Sequence, residues 1–346
     1  MEKRAAVGDD GMVGTAPAVG ETASRVQNAP TLYVVVPCYN EQEVLPETAR
    51  RLGDILRAMR ATGSIGPASR VLFVDDGSSD ATWELIEGLH RNAAASDGLF
   101  AGVKLAHNAG HQNALYCGLM VALRRGADVA ISIDADLQDD VRLIPQMVEA
   151  WDNGAQIVYG VRRRRDKDTV AKRSTAEAFY KLMRLLGAET VPDHADYRLM
   201  GRPALEALSQ YSEVNLFLRG IVPMLGFKTE RLYYDRAARF AGTSKYPLKK
   251  MLAFALNGIT SFSDRPIHLI TLAGALTLLV SFIMLVYVLV SALTGRAVAG
   301  WGSIMVSIWF VGGLVMVSLG VVGEYIGKIY LESKHRPRYI VEEELQ

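Results

Sequence analysis

Cysteine is nearly absent: Cys38 and Cys117 are the only two in 346 residues, and no C-x-x-C spacing occurs. That excludes a zinc knuckle and a disulfide framework, and fits buried thiols in a reducing compartment. Net charge is also missing, since 38 Lys and Arg against 37 Asp and Glu leave +1, which argues against a nucleic-acid binder with a basic surface. No G-x-x-x-x-G-K-[ST] is present, and no G-x-G-x-x-G follows a strand pattern, so a bound nucleotide has to be held through a cation and side chains. The first 30 residues have no apolar run of signal-peptide length and read as a disordered tail. With 50% hydrophobic residues the whole chain is not disordered, and 31 Gly and 12 Pro without a period exclude collagen.

Charge is missing locally as well. Pro266 to Gly295 and Ala297 to Gly323 contain no Asp, Glu, Lys or Arg, and only Arg296 separates them. Each run exceeds the ~20 helical residues that cross a bilayer core, so a two-helix transmembrane hairpin is expected over 266–323. Arg265 before it and Lys328, Lys334, Arg336 and Arg338 after it place both ends in the cytoplasm by the positive-inside rule. Residues 241–265, where apolar side chains mix with Lys245, Lys249 and Lys250, suit an interfacial helix, and 324–346 a cytoplasmic tail.

From Thr31 to about residue 240, β-branched runs alternate with helical stretches, which predicts an α/β domain around a mostly parallel sheet. Strands are expected at Leu32 to Val36, Val71 to Val74, Gly102 to Leu105, Val129 to Ile133 and Ile157 to Val161. Leu45, Ala49, Leu52, Leu56 and Met59 recur at helical spacing, with Pro46 near the start where a missing N–H costs little.

Three strand ends carry the chemistry. The first runs into Val36-Pro37-Cys38-Tyr39-Asn40-Glu41 and the second into Asp75-Asp76-Gly77-Ser78-Ser79-Asp80; polar loops beyond the carboxyl ends of strands mark a ligand cleft, although the same residues favour turns and helix caps. The third, Ile133-Asp134-Ala135-Asp136-Leu137-Gln138, ends an apolar strand in paired carboxylates. Buried carboxylates need compensation, and hard oxygen donors suit Mg²⁺ or Mn²⁺ shared with a diphosphate. Arg162 to Arg165 with Lys167, Lys172 and Arg173 form the densest basic stretch. Arg236, Arg239, Ser244 and Lys245 cluster before the apolar runs, and His194-Ala195-Asp196-Tyr197-Arg198 sets acid beside base.

Taken in order, PCYNE, DDGSSD, HNAGHQNAL, DADLQDD, VYGVR, HADYRLMGR, NLFLRG and RFAGTSKY, followed by two apolar spans, resemble the inverting family 2 glycosyltransferases of GT-A fold. Within these the chain is similar to bactoprenol-phosphate glucosyltransferases and dolichol-phosphate mannose synthases. The resemblance implies transfer of one sugar, with glucose from UDP-glucose favoured over GDP-mannose or UDP-GlcNAc, to a polyisoprenyl phosphate at the cytoplasmic face of a bacterial inner membrane. It implies nucleotide contacts at Pro37, Tyr39, Asn40, Glu41 and Asp76, and Mg²⁺ or Mn²⁺ at Asp134, Asp136 and Gln138. Acceptor-phosphate contacts fall on Arg162, Lys172 and Arg173, and a phosphate clamp on Arg198, Arg239, Ser244 and Lys245. Asp196, with Asp134 and Asp136, is the catalytic candidate; His111 and His194 are the alternatives to Asp196. The expected partners are the nucleotide sugar, the polyisoprenyl phosphate, the bilayer and further copies of the chain as a homo-oligomer, with no nucleic acid. A processive polysaccharide synthase would add a Gln-x-x-Arg-Trp motif, which the sequence does not contain, and a non-catalytic scaffold would be expected to lack one of the two carboxylates.

Overall fold

A computed structural model describes residues 29–163, 194–214, 216–235, 265–294 and 300–346. In chain order these form β1 (Leu32–Cys38), α1 (Leu45–Ala61), β2 (Arg70–Asp75), α2 (Thr82–Ala94), β3 (Phe100–Leu105), α3 (His111–Arg124), β4 (Val129–Ser132), α4 (Ile144–Asp152) and β5 (Ile157–Arg162). After these come β6 (His194–Gly201), α5 (Arg202–Ser209), α6 (Leu218–Met224), β7 (Thr229–Tyr234), α7 (Arg265–Leu293), α8 (Trp301–Ser333) and β8 (Val341–Leu345). The tail 1–28 and the expected interfacial helix over 241–264 lie outside the described residues.

The strands make one mixed sheet in the order β7-β5-β6-β4-β1-β2-β3-β8. β1 pairs in parallel with both β2 and β4, and β2 with β3. All seven residues of β1 are buried, the mark of a strand covered on both faces. Its alternation splits the core. Leu32, Val34 and Val36 pack with Leu45, Leu52 and Leu56 of α1 on one face, and Tyr33 and Val35 with Ala114, Cys117 and Val121 of α3 on the other.

The five strands expected from β-branched runs are present, each within two residues of its expected start and end. The other three carry polar residues and escape that signal. β6 lies antiparallel between β4 and β5, and β8 adds to the free edge of β3. The segment 324–346, expected as a cytoplasmic tail, thus contains a strand of the sheet. Ion pairs to Glu344 from Arg124, the last residue of α3 (2.6 Å), and from Arg125 just past it (2.7 Å) hold it there.

α7 and α8 have 29 and 33 residues and leave large apolar side chains exposed, among them Leu272, Phe282, Phe310 and Met316. Among the described residues one stretch, Phe310–Ser333 in α8, is long and apolar enough to cross a membrane. The far end of α8 is fastened to the sheet domain, since the Val214 N–H donates to both Glu332 carboxylate oxygens at 2.7 and 2.9 Å.

Candidate active site

β4 and β5 run the same way because each is antiparallel to β6 between them. The carboxyl ends of β1, β2, β4 and β5 and the start of β6 therefore share one edge of the sheet. Strand order reverses at β1, whose neighbours are β2 and β4, and an open α/β sheet binds ligands at such a reversal. The Pro37–Glu41 loop, the Asp75–Asp80 loop, the Asp134–Asp140 loop, Arg162 and Asp196 all meet there.

The first two loops are laced together. The Asn40 N–H donates to Ser78 Oγ at 2.9 Å, the Ser79 N–H to Asn40 Oδ1 at 2.8 Å, and the Glu41 N–H to Thr82 Oγ1 at 2.9 Å. Asn40 takes a positive φ of 54°, a conformation Asn tolerates well, and the neighbouring Tyr39 ring is half exposed. Asp76 is buried and accepts from the Ala109 N–H (2.7 Å) and the Gly110 N–H (3.0 Å) at the start of α3. Burial raises its pKa above the ordinary carboxylate value against the pull of those two amides. The residue expected against a nucleotide therefore anchors the loop that carries His111.

At the centre, Asp134 follows β4 and faces Asp196 of β6, as the Ser132–Arg198 register implies when continued by two residues. His111 Nε2 lies 3.6 Å from Asp134 Oδ1 and 3.5 Å from Asp196 Oδ2. Asp196 is buried and accepts from Arg198 Nη2 at 2.5 Å, from Arg219 Nη2 at 2.9 Å and Nε at 3.2 Å, and from Gln112 Nε2 at 3.4 Å. Burial alone would raise its pKa; the His111 hydrogen bond and the charges of Arg198 and Arg219 win and hold it well below the carboxylate range. Asp134 goes the other way. Burial, with Asp196, Asp139 and Asp136 nearby, lifts it to about 6 against the pull of His111.

Carboxylates crowded until one resists ionisation form a donor set that a cation would relieve. Among the described residues no three His, Cys, Asp or Glu side chains gather into a metal cage. Mg²⁺ commonly takes only one or two protein carboxylates and completes its shell with phosphate oxygens and water. Asp134 and Asp136 thus fit a cation that arrives with a diphosphate. The Asp136 carboxylate accepts from the Gln138 N–H at 3.1 Å, which folds the loop back on itself.

Arg162 ends β5 and is tied to Asp139 (Nη2 to Oδ1, 3.1 Å) and Tyr234 (Nε to Oη, 3.2 Å). Arg198, expected as a phosphate clamp, is only 1% exposed and spends itself on Asp196 and the Leu218 carbonyl at 3.2 Å. The strand pattern explains the difference: Asp196 and Arg198 lie two apart on β6 and share a face. Arg219, on α6 and 34% exposed, reaches the cleft instead. Lys172, Arg173, Arg239, Ser244 and Lys245 lie outside the described residues. Sequence reasoning passed over Arg219, although it stands in the quoted NLFLRG segment, and over Asp139 and Tyr234, because an acid past a D-x-D pair and a tyrosine in a polar run carry no local signal.

Acidic and cationic side chains thus face each other at the reversal of a mostly parallel sheet. Residues 33–209 match Glycosyl transferase family 2. The chain is 49% identical over 321 residues to the uncharacterized glycosyltransferase YkoT of Bacillus subtilis, covering 92% of this chain and 93% of that one. It is 39% identical over 316 residues to the bactoprenol glucosyl transferase of Shigella phage SfV, covering 90% and 98%. Among solved structures, glucosyl-3-phosphoglycerate synthase of Mycobacterium tuberculosis with Mg²⁺ and UDP is 18% identical at a TM-score of 0.42, over 71% of this chain and 83% of that one. The protein belongs to glycosyl transferase family 2.

Proposed function

We propose that this glycosyltransferase moves a single sugar, glucose from UDP-glucose, to a polyisoprenyl phosphate at the membrane surface, with inversion. One observation carries the reading. β8 meets β3 with Val341 opposite Leu105, the last residue of β3, so the apolar helix α8 reaches the sheet at the edge that holds the cleft. A site built there can meet a phosphate borne on a lipid. The bactoprenol glucosyl transferases among the relatives support the same acceptor.

In this reading Pro37, Tyr39, Asn40 and Glu41 receive the nucleotide, and Asp76 shapes the cleft by holding the start of α3. Asp134 and Asp136, with Gln138, hold Mg²⁺ or Mn²⁺, which when bound neutralises the departing nucleoside diphosphate. Arg162 and Arg219 receive the acceptor phosphate. A phosphate oxygen attacks the anomeric carbon in line as the bond from that carbon to the diphosphate oxygen breaks, and the pair of that bond leaves with the nucleoside diphosphate. The acceptor is already largely deprotonated near pH 7, its last pKa being ~6. Asp196, saturated by two arginines, has no proton to remove and holds Arg219 and His111 in place.

Parity supports a two-crossing topology. Both the start of the domain and β8 belong to one sheet, and α8 ends against that domain. A crossing by α8 therefore requires an earlier one, and α7, at about 43 Å for 29 residues, is long enough to supply it. With the basic residues flanking the two runs, this supports a multi-pass protein of the bacterial inner membrane with its catalytic domain in the cytoplasm. The test is a panel of labelled UDP-glucose, UDP-GlcNAc and GDP-mannose with undecaprenyl phosphate, followed by identification of the extracted glycolipid. Glucosyl phospholipid from UDP-glucose is expected; a different labelled glycolipid reassigns the donor, and free sugar alone contradicts a lipid acceptor.

A further inference from the structure

We infer that Asp139 and Tyr234 are positioning residues for Arg162, fixing its guanidinium where the acceptor phosphate meets it; the inference rests on the reading of Arg162 as a phosphate contact. The three side chains come from separate parts of the fold: Asp139 from the acidic loop after β4, Arg162 from the end of β5, Tyr234 from the end of β7. Arg162 Nη2 donates to Asp139 Oδ1 at 3.1 Å and its Nε to the Tyr234 hydroxyl at 3.2 Å, while that hydroxyl donates to the same Oδ1.

The ring of Tyr234 is itself held, edge-on to Tyr197 with centroids 5.6 Å apart, and the Tyr197 hydroxyl donates to the Asp140 carbonyl at 3.1 Å. Burial, with Asp139 beside it, raises the Tyr234 pKa, so the hydroxyl keeps the proton it donates. Asp139 is 1% exposed at its side chain, and its Oδ2 is buried without a hydrogen-bond partner. Arg162 is the one cation paired with it among the described residues. That leaves a guanidinium with five N–H groups, two of them committed to a rigid buried cradle. Three remain for a ligand on a side chain that is 26% exposed. A long flexible arginine fixed in this way loses little further rotamer freedom when phosphate binds. Because Asp139 shares its loop with Asp134 and Asp136, the same cradle ties the acceptor arginine to the donor half of the site.

A purely structural role would lower thermal stability and disturb both substrates alike. A positioning role is selective. Full-length protein in neutral detergent is assayed with UDP-glucose and undecaprenyl phosphate, and melting is followed for each variant. Tyr234→Phe, which deletes one oxygen, is expected to raise the acceptor KM roughly tenfold with the UDP-glucose KM unchanged. Asp139→Asn is expected to act in the same direction. Arg162→Lys, which keeps the charge but loses the fork, raises the acceptor KM by itself, and Tyr234→Phe then adds nothing. If Arg162→Lys leaves the acceptor KM unchanged, the reading of Arg162 fails. If Arg162→Lys shifts it and Tyr234→Phe does not, or if Tyr234→Phe shifts both Michaelis constants equally, the positioning inference fails while Arg162 keeps its role.

Discussion

Arg219 grips Asp196 with two nitrogens, Nη2 2.9 Å from Oδ2 and Nε 3.2 Å from Oδ1. With Arg198 on the buried side, this makes Asp196 the charge that two guanidiniums share. A depressed carboxylate pKa contributes stability that is complete above the unfolded value of ~3.9 and is lost as pH falls through the lower folded value. Asp196→Asn leaves Arg198 buried without its partner and is expected to cost about 3–5 kcal/mol. Thermal unfolding should show a wild-type advantage that is constant from pH 8 to 5, by about these values, and shrinks only in stronger acid. An advantage that fades around neutral pH would mean that Asp196 titrates as a base there.

Gly77 stands at φ +67° with His107 C and Asn108 N both 2.7 Å from where a Cβ would lie. Gly77→Ala therefore meets backbone on one side and a left-handed strain on the other, an expected loss of about 1–3 kcal/mol. The loop it presses against carries Ala109 and Gly110, whose amides hold Asp76. Weaker nucleotide-sugar binding should accompany the lower melting temperature. Unchanged values for both would show that the loops do not support the cleft.

Periodicity and β-branching expose buried parallel strands, and β1 to β5 were legible for that reason. Two of the pairings that shape the site were not, because β6 and β8 are polar: HADYRLMG has its acid and base on the buried face, where they neutralise each other, and VEEEL lies at an edge where acids are tolerated. Motif reading singled out the acidic loop and Asp196, which the β4–β6 pairing brings to one edge of the sheet. It assigned Arg198 to the cleft when Arg219 reaches it, since no local pattern distinguishes a buried arginine paired along its own strand from one on a helix 23 residues after Asp196.

The β8 strand offers a pH test. Burial would raise the Glu344 pKa, but hydrogen bonds from Arg125 and Arg124 lower it overall. Docking of the strand is thus fully supported above the unfolded value of ~4.3 and weakens as pH falls through the lower folded one. Protection of the 341–345 amides, taken relative to the intrinsic exchange rate at each pH, should be high at neutral pH and fall in acid, and Glu344→Gln should lower it at neutral pH too. Equal exchange in wild type and variant would show that the arginines do not hold the strand.

Cys38 and Cys117 are both buried, which leaves a clean background for topology. Arg296→Cys, between the two apolar runs, should react in intact cells with a thiol reagent that cannot cross the membrane. A cysteine appended after Gln346 should react only after the membrane is opened. The reverse pattern would overturn the two-crossing arrangement.

The most direct measurement compares purified wild type with Asp136→Asn in a single turnover of labelled UDP-glucose with undecaprenyl phosphate and Mg²⁺ or Mn²⁺, reading the lipid-linked product. The wild type should convert the label to a glucosyl phospholipid of inverted anomeric configuration. The variant, folded but short of one carboxylate in the acidic loop, should be slower by ~10²–10³. Equal rates for the two proteins, or a product of retained configuration, would contradict the account.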